Sequence, residues 1–136
     1  MAGLRVALAA LALAVAGGGA AGASGAHGVR TVELTIHHSR FSTDTMHFAR
    51  GATVRFVVHN TDPIDHELII GDEAVQLRHE HGTEAHHGDR PGEVSVPAGA
   101  TASTTYEFSS PGPLQFACHL PGHWAYGMHG AIVVSG

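Results

Sequence analysis

Lysine is absent from the 136-residue sequence, and charged residues of both signs make up only 14 % of it. The 7 basic residues, all arginine, and the 12 acidic residues leave a formal net charge of −5. Nucleic-acid-binding proteins need a basic face that neutralises phosphates. This composition therefore excludes nucleic acid as a partner, and the length suffices for one small domain and a leader.

Cysteine occurs once, as Cys118, and cannot form a disulfide within its own chain. Small exported domains often depend on such bonds, and a lone exported thiol is oxidised unless it is buried, dimerised or metal-bound. The alternatives to a metal ligand are a core thiol and a nucleophile with His119 or His123 as its base. A nucleophile would leave Met128 unexplained, and the chain has no oxyanion-type loop.

Long apolar runs are also absent, except near the start of the chain, where residues 6–16 contain only Ala, Leu and Val. We therefore predict a signal peptide over residues 1–26 and a mature domain over residues 27–136. Ala23 and Ala26 each end a small-x-small cleavage motif. An uncleaved membrane anchor is the alternative, but the run is shorter than the roughly 20 residues that span a bilayer. We expect a periplasmic or extracellular protein with no integral membrane segment after cleavage.

The mature segment contains short β-rich stretches between turns that are rich in glycine and proline. Two stretches, residues 32–36 and 52–59, alternate apolar and polar side chains as half-buried strands do. Short strands at even spacing predict an all-β fold, either an antiparallel sandwich or a barrel. The predicted extended segments are residues 32–36, 41–48, 52–59, 66–70, 93–96, 101–108, 114–118 and 131–135.

Residues 71–92 form a polar, histidine-rich segment that interrupts the strand pattern. Asp72 is a good helix cap, so one or two helical turns are predicted after it, and a surface loop over the rest. Clustered imidazoles suit copper and zinc. The segment is therefore either a solvated loop with incidental histidines or a candidate second Cu or Zn site, formed by His79, His81, His86 and His87.

The motif that carries chemistry is Cys118-x4-His123-x4-Met128, which puts a thiolate, an imidazole and a thioether on one loop. A second imidazole from another strand would complete a His2Cys set with a weak axial thioether, which is the ligand set of blue-copper centres. His66, at the start of a predicted strand, is the preferred source, and His59 is its competitor. Met128 as plain core filler is the alternative to ligation.

This ligand motif on a β-rich exported chain resembles the cupredoxins, the plastocyanin and azurin superfamily, over about residues 31–136. The Pro-Gly-His within Cys118 to His123 is similar to the azurin loop, and the longer gap to the methionine resembles rusticyanin and auracyanin. The resemblance implies a Greek-key antiparallel β-sandwich with one copper per chain that cycles between Cu(I) and Cu(II). The copper ligands that it implies are His66, Cys118, His123 and Met128.

The function that the resemblance implies is that of a type 1, blue copper protein that carries single electrons between redox protein partners and is not an enzyme. The alternative is a copper-binding or delivery protein that uses residues 71–92 as a second metal site. A third hypothesis is a small oxidative enzyme, because cleavage after Ala26 would make His27 a copper-chelating N-terminus. That site would need a second histidine and a substrate surface, and the sequence gives no evidence for either.

Two features depart from the cupredoxin pattern. Many members follow the first histidine ligand with an asparagine whose side chain ties the two ligand loops together. Glu67 stands there instead, so different bonding around the metal is expected. The second departure is the histidine-rich insertion. Beside the motif, Trp124 and Tyr126 are expected to pack near the metal loop, and His119 and His129 are expected to face solvent.

Overall fold

The structure is a computed structural model that describes residues 28–82, 87 and 90–136. The predicted signal peptide and His86 lie outside the described residues. Within these ranges no helix is long and apolar enough to cross a membrane. The elements of the described chain are β1 (Arg30–Ile36), β2 (Thr45–Ala49), β3 (Thr53–Asn60), β4 (His66–Gly71), α1 (Glu73–Glu80), β5 (Glu93–Val96), β6 (Thr101–Glu107), β7 (Gly112–Ala117) and β8 (His129–Ser135).

The described strands form two sheets, one with the order β1-β3-β6 and one with the order β2-β8-β7-β4-β5. This arrangement confirms the predicted sandwich. Two pairs, β1 with β3 and β2 with β8, are parallel, whereas the other pairs are antiparallel. The sandwich is therefore mixed rather than purely antiparallel. The sequence could not predict the parallel pairs, because alternation within a strand sets its buried face and not the direction of its neighbour.

The hydrophobic core lies between the sheets and follows the two-residue period of the strands. In β3, Val54, Phe56 and Val58 are completely buried, while the residues between them are more exposed. Phe48 stacks on Phe108 with ring centroids 4.5 Å apart, and Phe56 meets Phe48 edge-on at 5.8 Å. Aromatic pairs in these geometries add to the stabilisation from buried area, so the core gives the strand ends a rigid frame.

Strand β4 is buried along its whole length: β5 and β7 pair with its two edges, and α1 packs against it. Two polar residues stand at its start, and both are buried: His66 is 1 % exposed and Glu67 is 2 % exposed. A buried imidazole and a buried carboxylate cost free energy unless other groups bind them. The start of β4 is thus where the fold requires polar partners.

Helix α1 connects β4 to β5 and begins at the cap that the sequence predicts. The Asp72 side chain accepts a hydrogen bond from the amide of Val75 at 2.9 Å, which satisfies one of the free N–H groups of the first turn. The helix continues to Glu80, and Gln76 on its inner side is buried. This helix of 8 residues confirms the helical turns predicted after Asp72.

Candidate metal centre

Three of the four predicted ligands meet at one end of the sandwich. His66 begins β4, Cys118 directly follows β7, and His123 lies in the ligand loop, which we define as residues 118–128. Cys118 Sγ lies 3.2 Å from His123 Nδ1, and His66 Nδ1 lies 3.3 Å from the same nitrogen. All three donor atoms lie within 4.8 Å of one another. We call these three residues the first cluster.

The ligand loop is held in shape by its own backbone. The amide of His123 donates to the carbonyl of Leu120 at 2.9 Å, and Gly122 closes this turn with a φ of 84° that favours glycine. The Met128 amide donates to the His123 carbonyl, and its carbonyl accepts from the Cys118 amide, both at 3.0 Å. Met128 is completely buried. Its backbone thus lies beside both loop ligands, and ligation by its thioether stays a prediction.

Asp62 fixes the orientation of the His66 ring. Its Oδ2 lies 2.9 Å from His66 Nε2 and accepts the proton of that nitrogen, which leaves the Nδ1 lone pair for the first cluster. The amides of His38 and Ser39 each donate to the same carboxylate at 2.7 Å. Burial raises the pKa of Asp62, but these hydrogen bonds and His66 outweigh it, so the net pKa lies below its usual value. Asp62 is therefore a carboxylate at neutral pH.

The protonation of the other two donors also suits a metal. Burial raises the pKa of the Cys118 thiol to about 12, while backbone hydrogen bonds with Leu120 and Glu67 oppose this rise. The thiolate therefore forms only together with a cation that replaces the proton. Burial, and then the nearby His66, lower the pKa of His123, which keeps it as the neutral imidazole that binds metals. A thiol with two imidazoles is a donor set that fits copper.

Glu67 ties the two parts of the first cluster together. Its Oε1 accepts a hydrogen bond from the amide of His119 at 2.8 Å, which joins β4 to the residue after Cys118. A glutamate therefore makes a link between the ligand loops, the role that asparagine has in many cupredoxins. Its second oxygen, Oε2, lies 2.9 Å from His87 Nε2 and so faces away from this link.

A second group of potential ligands lies beside α1. It consists of His79, His87 and Glu93, whose donor atoms lie within 4.8 Å of one another. We call these residues the second cluster. The sequence pointed to the two histidines but not to Glu93. The only sequence feature that could have indicated Glu93 as a ligand is its position, as an acidic residue that starts a strand after the histidine-rich segment. His81 is exposed.

His59, the competitor for the first imidazole ligand, lies elsewhere. Its Nε2 is 2.6 Å from Glu33 Oε2 on β1, and its Nδ1 is 2.9 Å from the Thr101 hydroxyl on β6. These partners belong to the three-stranded sheet, whereas His66 begins a strand of the five-stranded sheet. The preference for His66 over His59 agrees with this placement.

The histidines next to the ligand loop differ from one another. His119 was expected to face solvent, and this is wrong: its side chain is 2 % exposed, because Glu80 and Gln76 of α1 each contact a ring nitrogen at 2.7 Å. Trp124 packs as expected, between His119 at 5.1 Å and the exposed His129 at 4.4 Å. Helix α1 therefore covers one side of the loop.

Tyr126 does not pack as expected. Its side chain is 71 % exposed at the surface of the ligand loop. His123 beside it is half-buried, so part of the loop around this ring reaches the surface.

A profile of the copper-binding proteins of the plastocyanin/azurin family matches residues 30–135. The chain belongs to this family. The match covers every described strand, so the resemblance to cupredoxins is confirmed for the whole domain.

Two proteins named copper-resistant cuproprotein CopI are similar to this cupredoxin in sequence. The one from Rubrivivax gelatinosus is 39 % identical over 110 residues, which cover 77 % of this chain and 66 % of that protein. The one from Pseudomonas aeruginosa is 29 % identical over 144 aligned residues, which cover 82 % and 80 % respectively. The chain thus spans just under two thirds of the Rubrivivax protein.

Among solved structures, an auracyanin from Roseiflexus castenholzii superposes with a TM-score of 0.65 at 21 % sequence identity. The superposition covers 78 % of this chain and 97 % of that one. This similarity concerns the fold alone, and it agrees with the sandwich described above.

Proposed function

We propose that the chain is an exported copper-handling protein that holds one copper through His66, Cys118 and His123, with Met128 as a weak axial ligand. The observation that carries the proposal is the convergence of one buried thiol and two imidazole Nδ1 atoms within 4.8 Å. Bound in such a set, copper cycles between Cu(I) and Cu(II). The proposal assigns no enzymatic reaction to the chain.

Residues around the donor atoms position them and shield them from water. Asp62 holds the His66 ring so that Nδ1 faces the other donors. Glu67 fixes the distance between β4 and the ligand loop through the His119 amide. The completely buried Cys118 keeps the sulfur away from water, which protects it from the oxidation that a lone exported thiol would suffer.

Copper handling, rather than electron transport alone, is supported by the names of the two relatives, both of which are copper-resistant cuproproteins. Its test is copper tolerance in a bacterium whose own copy of the gene is deleted. The wild-type gene should restore growth at raised copper, and Cys118→Ala should not, because the soft donor is lost. His47→Ala, which removes an exposed imidazole on β2, is the matched control and should restore growth fully.

A Cys118→Ala gene that restores tolerance as well as wild type would contradict copper handling at this centre.

The mass of the secreted chain from the same cells tests export. It should correspond to cleavage after Ala23 or Ala26.

Electron transfer between redox proteins is the second candidate function. It is favoured by the half-buried His123 ring on a loop that exposes Tyr126 at 71 % and also Pro121. Partners that exchange electrons would approach such an apolar surface. Tyr126→Lys should then slow electron self-exchange between the reduced and oxidised protein, because two like charges would meet. An unchanged self-exchange rate would argue against this surface as the route.

A further inference from the structure

The second cluster is buried although each of its members is polar. His79 lies in the last turn of α1, His87 in the segment that follows it, and Glu93 begins β5. Their side chains are 5 %, 2 % and 8 % exposed. His79 Nε2 and His87 Nδ1 each lie 3.5 Å from Glu93 Oε2. Burying these three groups together costs free energy unless something binds them.

The hydrogen bond of His79 sets which of its nitrogens faces the carboxylate. Nδ1 lies 2.8 Å from the Val75 carbonyl oxygen, and only a protonated Nδ1 can donate to it. In the neutral ring the lone pair then sits on Nε2, which faces Glu93 Oε2, and this oxygen is buried and accepts no hydrogen bond within the described part of the chain. Two lone pairs that face each other repel, and a separation of 3.5 Å is too long for a shared proton. A cation between them removes the repulsion.

His87 is oriented in a way that suits the same cation. Its Nε2 lies 2.9 Å from the buried Glu67 Oε2, at ion-pair distance but outside hydrogen-bond geometry, and its Nδ1 lies 3.5 Å from Glu93 Oε2. A carboxylate beside the second ring nitrogen is the usual support of a metal-ligating histidine.

The net charge around the second cluster favours a cation. Arg78 lies 3.6 Å from Glu93 Oε1 and Arg90 lies 3.7 Å from Oε2. These two side chains are 60 % and 62 % exposed, so solvent screens their charge, whereas Glu67 and Glu93 are buried carboxylates. A surface cavity of about 750 Å³, lined among others by His79 and His87, gives ions access without passage through the core.

From this geometry we infer a second metal site in which His79, His87 and Glu93 bind a divalent d-block cation, Cu²⁺ or Zn²⁺. Two imidazoles and one carboxylate suit these ions, whereas Ca²⁺ and Mg²⁺ prefer sites made of oxygen alone. The inference goes beyond the proposed function and does not depend on it, because the two clusters share no donor atom.

The two sites are joined through one carboxylate. Glu67 Oε1 binds the amide of the residue after Cys118, and Oε2 faces His87 Nε2. A cation on His87 draws negative charge towards itself and weakens the field of Glu67 at the first cluster. Filling the second site should therefore shift the visible absorption of copper in the first.

The test is a titration of the copper-loaded mature protein with Zn²⁺. Wild type should take up one equivalent of Zn²⁺ with a shift of its visible band. The double variant His79→Ala/His87→Ala should lose both the uptake and the shift. Glu93→Gln keeps the size of the side chain and should weaken Zn²⁺ binding at least about tenfold. His81→Ala removes an exposed histidine beyond α1 and should behave as wild type.

A second arm separates the site from the first cluster and distinguishes the two ions. In His66→Ala/Cys118→Ser, checked for folding by circular dichroism, one Zn²⁺ or one Cu²⁺ should still bind, and competition between them identifies the preferred ion. Binding that persists in this double variant would support the second site. If wild type also showed no copper band, the second site would stand while the proposed function would be contradicted. No uptake of either ion, or equal uptake after loss of His79 and His87, would overturn the inference.

Discussion

Asp62 and His66 are the residues on which the geometry of the first cluster depends most. The Asp62 carboxylate receives two amide hydrogen bonds from the segment after β1 and one from the His66 ring. It therefore fixes the ring relative to the segment that connects β1 to β2. The imidazole is held in its binding orientation before any metal arrives, which lowers the entropy cost of ligation.

Asp62→Asn should weaken copper binding by about 10- to 100-fold, because the amide cannot hold the His66 tautomer as the carboxylate does. Competition with a copper chelator measures the affinity. Asp65→Asn is the matched control, since Asp65 is exposed in the same turn and binds only the Ala98 amide among the described contacts. Equal losses in both variants would show that the turn, and not the His66 contact, sets the affinity.

Met128→Leu tests the axial position. Leucine preserves the buried volume, so copper should stay bound, while the reduction potential should rise because a weak donor to Cu(II) is lost. Redox titration of the visible band measures the potential. If both the spectrum and the potential match those of wild type, Met128 is core filler, the alternative that the sequence left open.

At the scale of elements, one buried side chain of α1 contacts several parts of the sheet at once. Gln76 Nε2 donates to the carbonyls of Gln115, Ile69 and Gly71 at 3.1, 3.3 and 3.4 Å, and its Oε1 lies 2.7 Å from His119 Nε2. The helix therefore binds β4, β7 and the ligand loop at once. It also carries His79, so it forms the structural connection between the two clusters.

Gln76→Ala should lower the free energy of unfolding by roughly 1–3 kcal/mol, because buried carbonyls and the His119 ring lose their partner. Urea unfolding of the copper-free protein measures the change. Leu77→Ala, at the neighbouring position that is 51 % exposed, should change it by no more than about 0.5 kcal/mol. A Gln76→Ala protein as stable as the control would mean that α1 is attached by other contacts.

The sequence predicted these elements to different extents, for physical reasons. Strand positions followed from alternation, and α1 followed from the Asp72 cap, because both signals are local. The burial of His119 could not be predicted, since its partners Gln76 and Glu80 lie 43 and 39 residues away. Glu93 was missed for the same reason: only the fold brings it to the histidines of α1 and the following segment.

At the scale of the whole molecule, the sandwich brings distant segments to one end. β4 and β7 are antiparallel neighbours in one sheet, so the first residue of β4 and the loop after β7 lie at the same end of that sheet. The thiol and the loop histidine were predictable as a pair from their spacing. His66 was preferred over His59 because it starts a predicted strand after a turn, whereas the pairing that brings this strand beside β7 cannot be read from local pattern. The parallel pairs β1–β3 and β2–β8 were not predicted on the same grounds.

The function proposed for the chain depends on copper bound by the Cys118 sulfur together with His66 and His123. The most direct measurement is the visible absorption spectrum of the mature protein with one equivalent of Cu(II). We predict an intense thiolate-to-copper charge-transfer band in wild type and in the control His47→Ala, and its complete loss in Cys118→Ser. A wild-type protein without such a band, or a band that survives in Cys118→Ser, would contradict the proposed function.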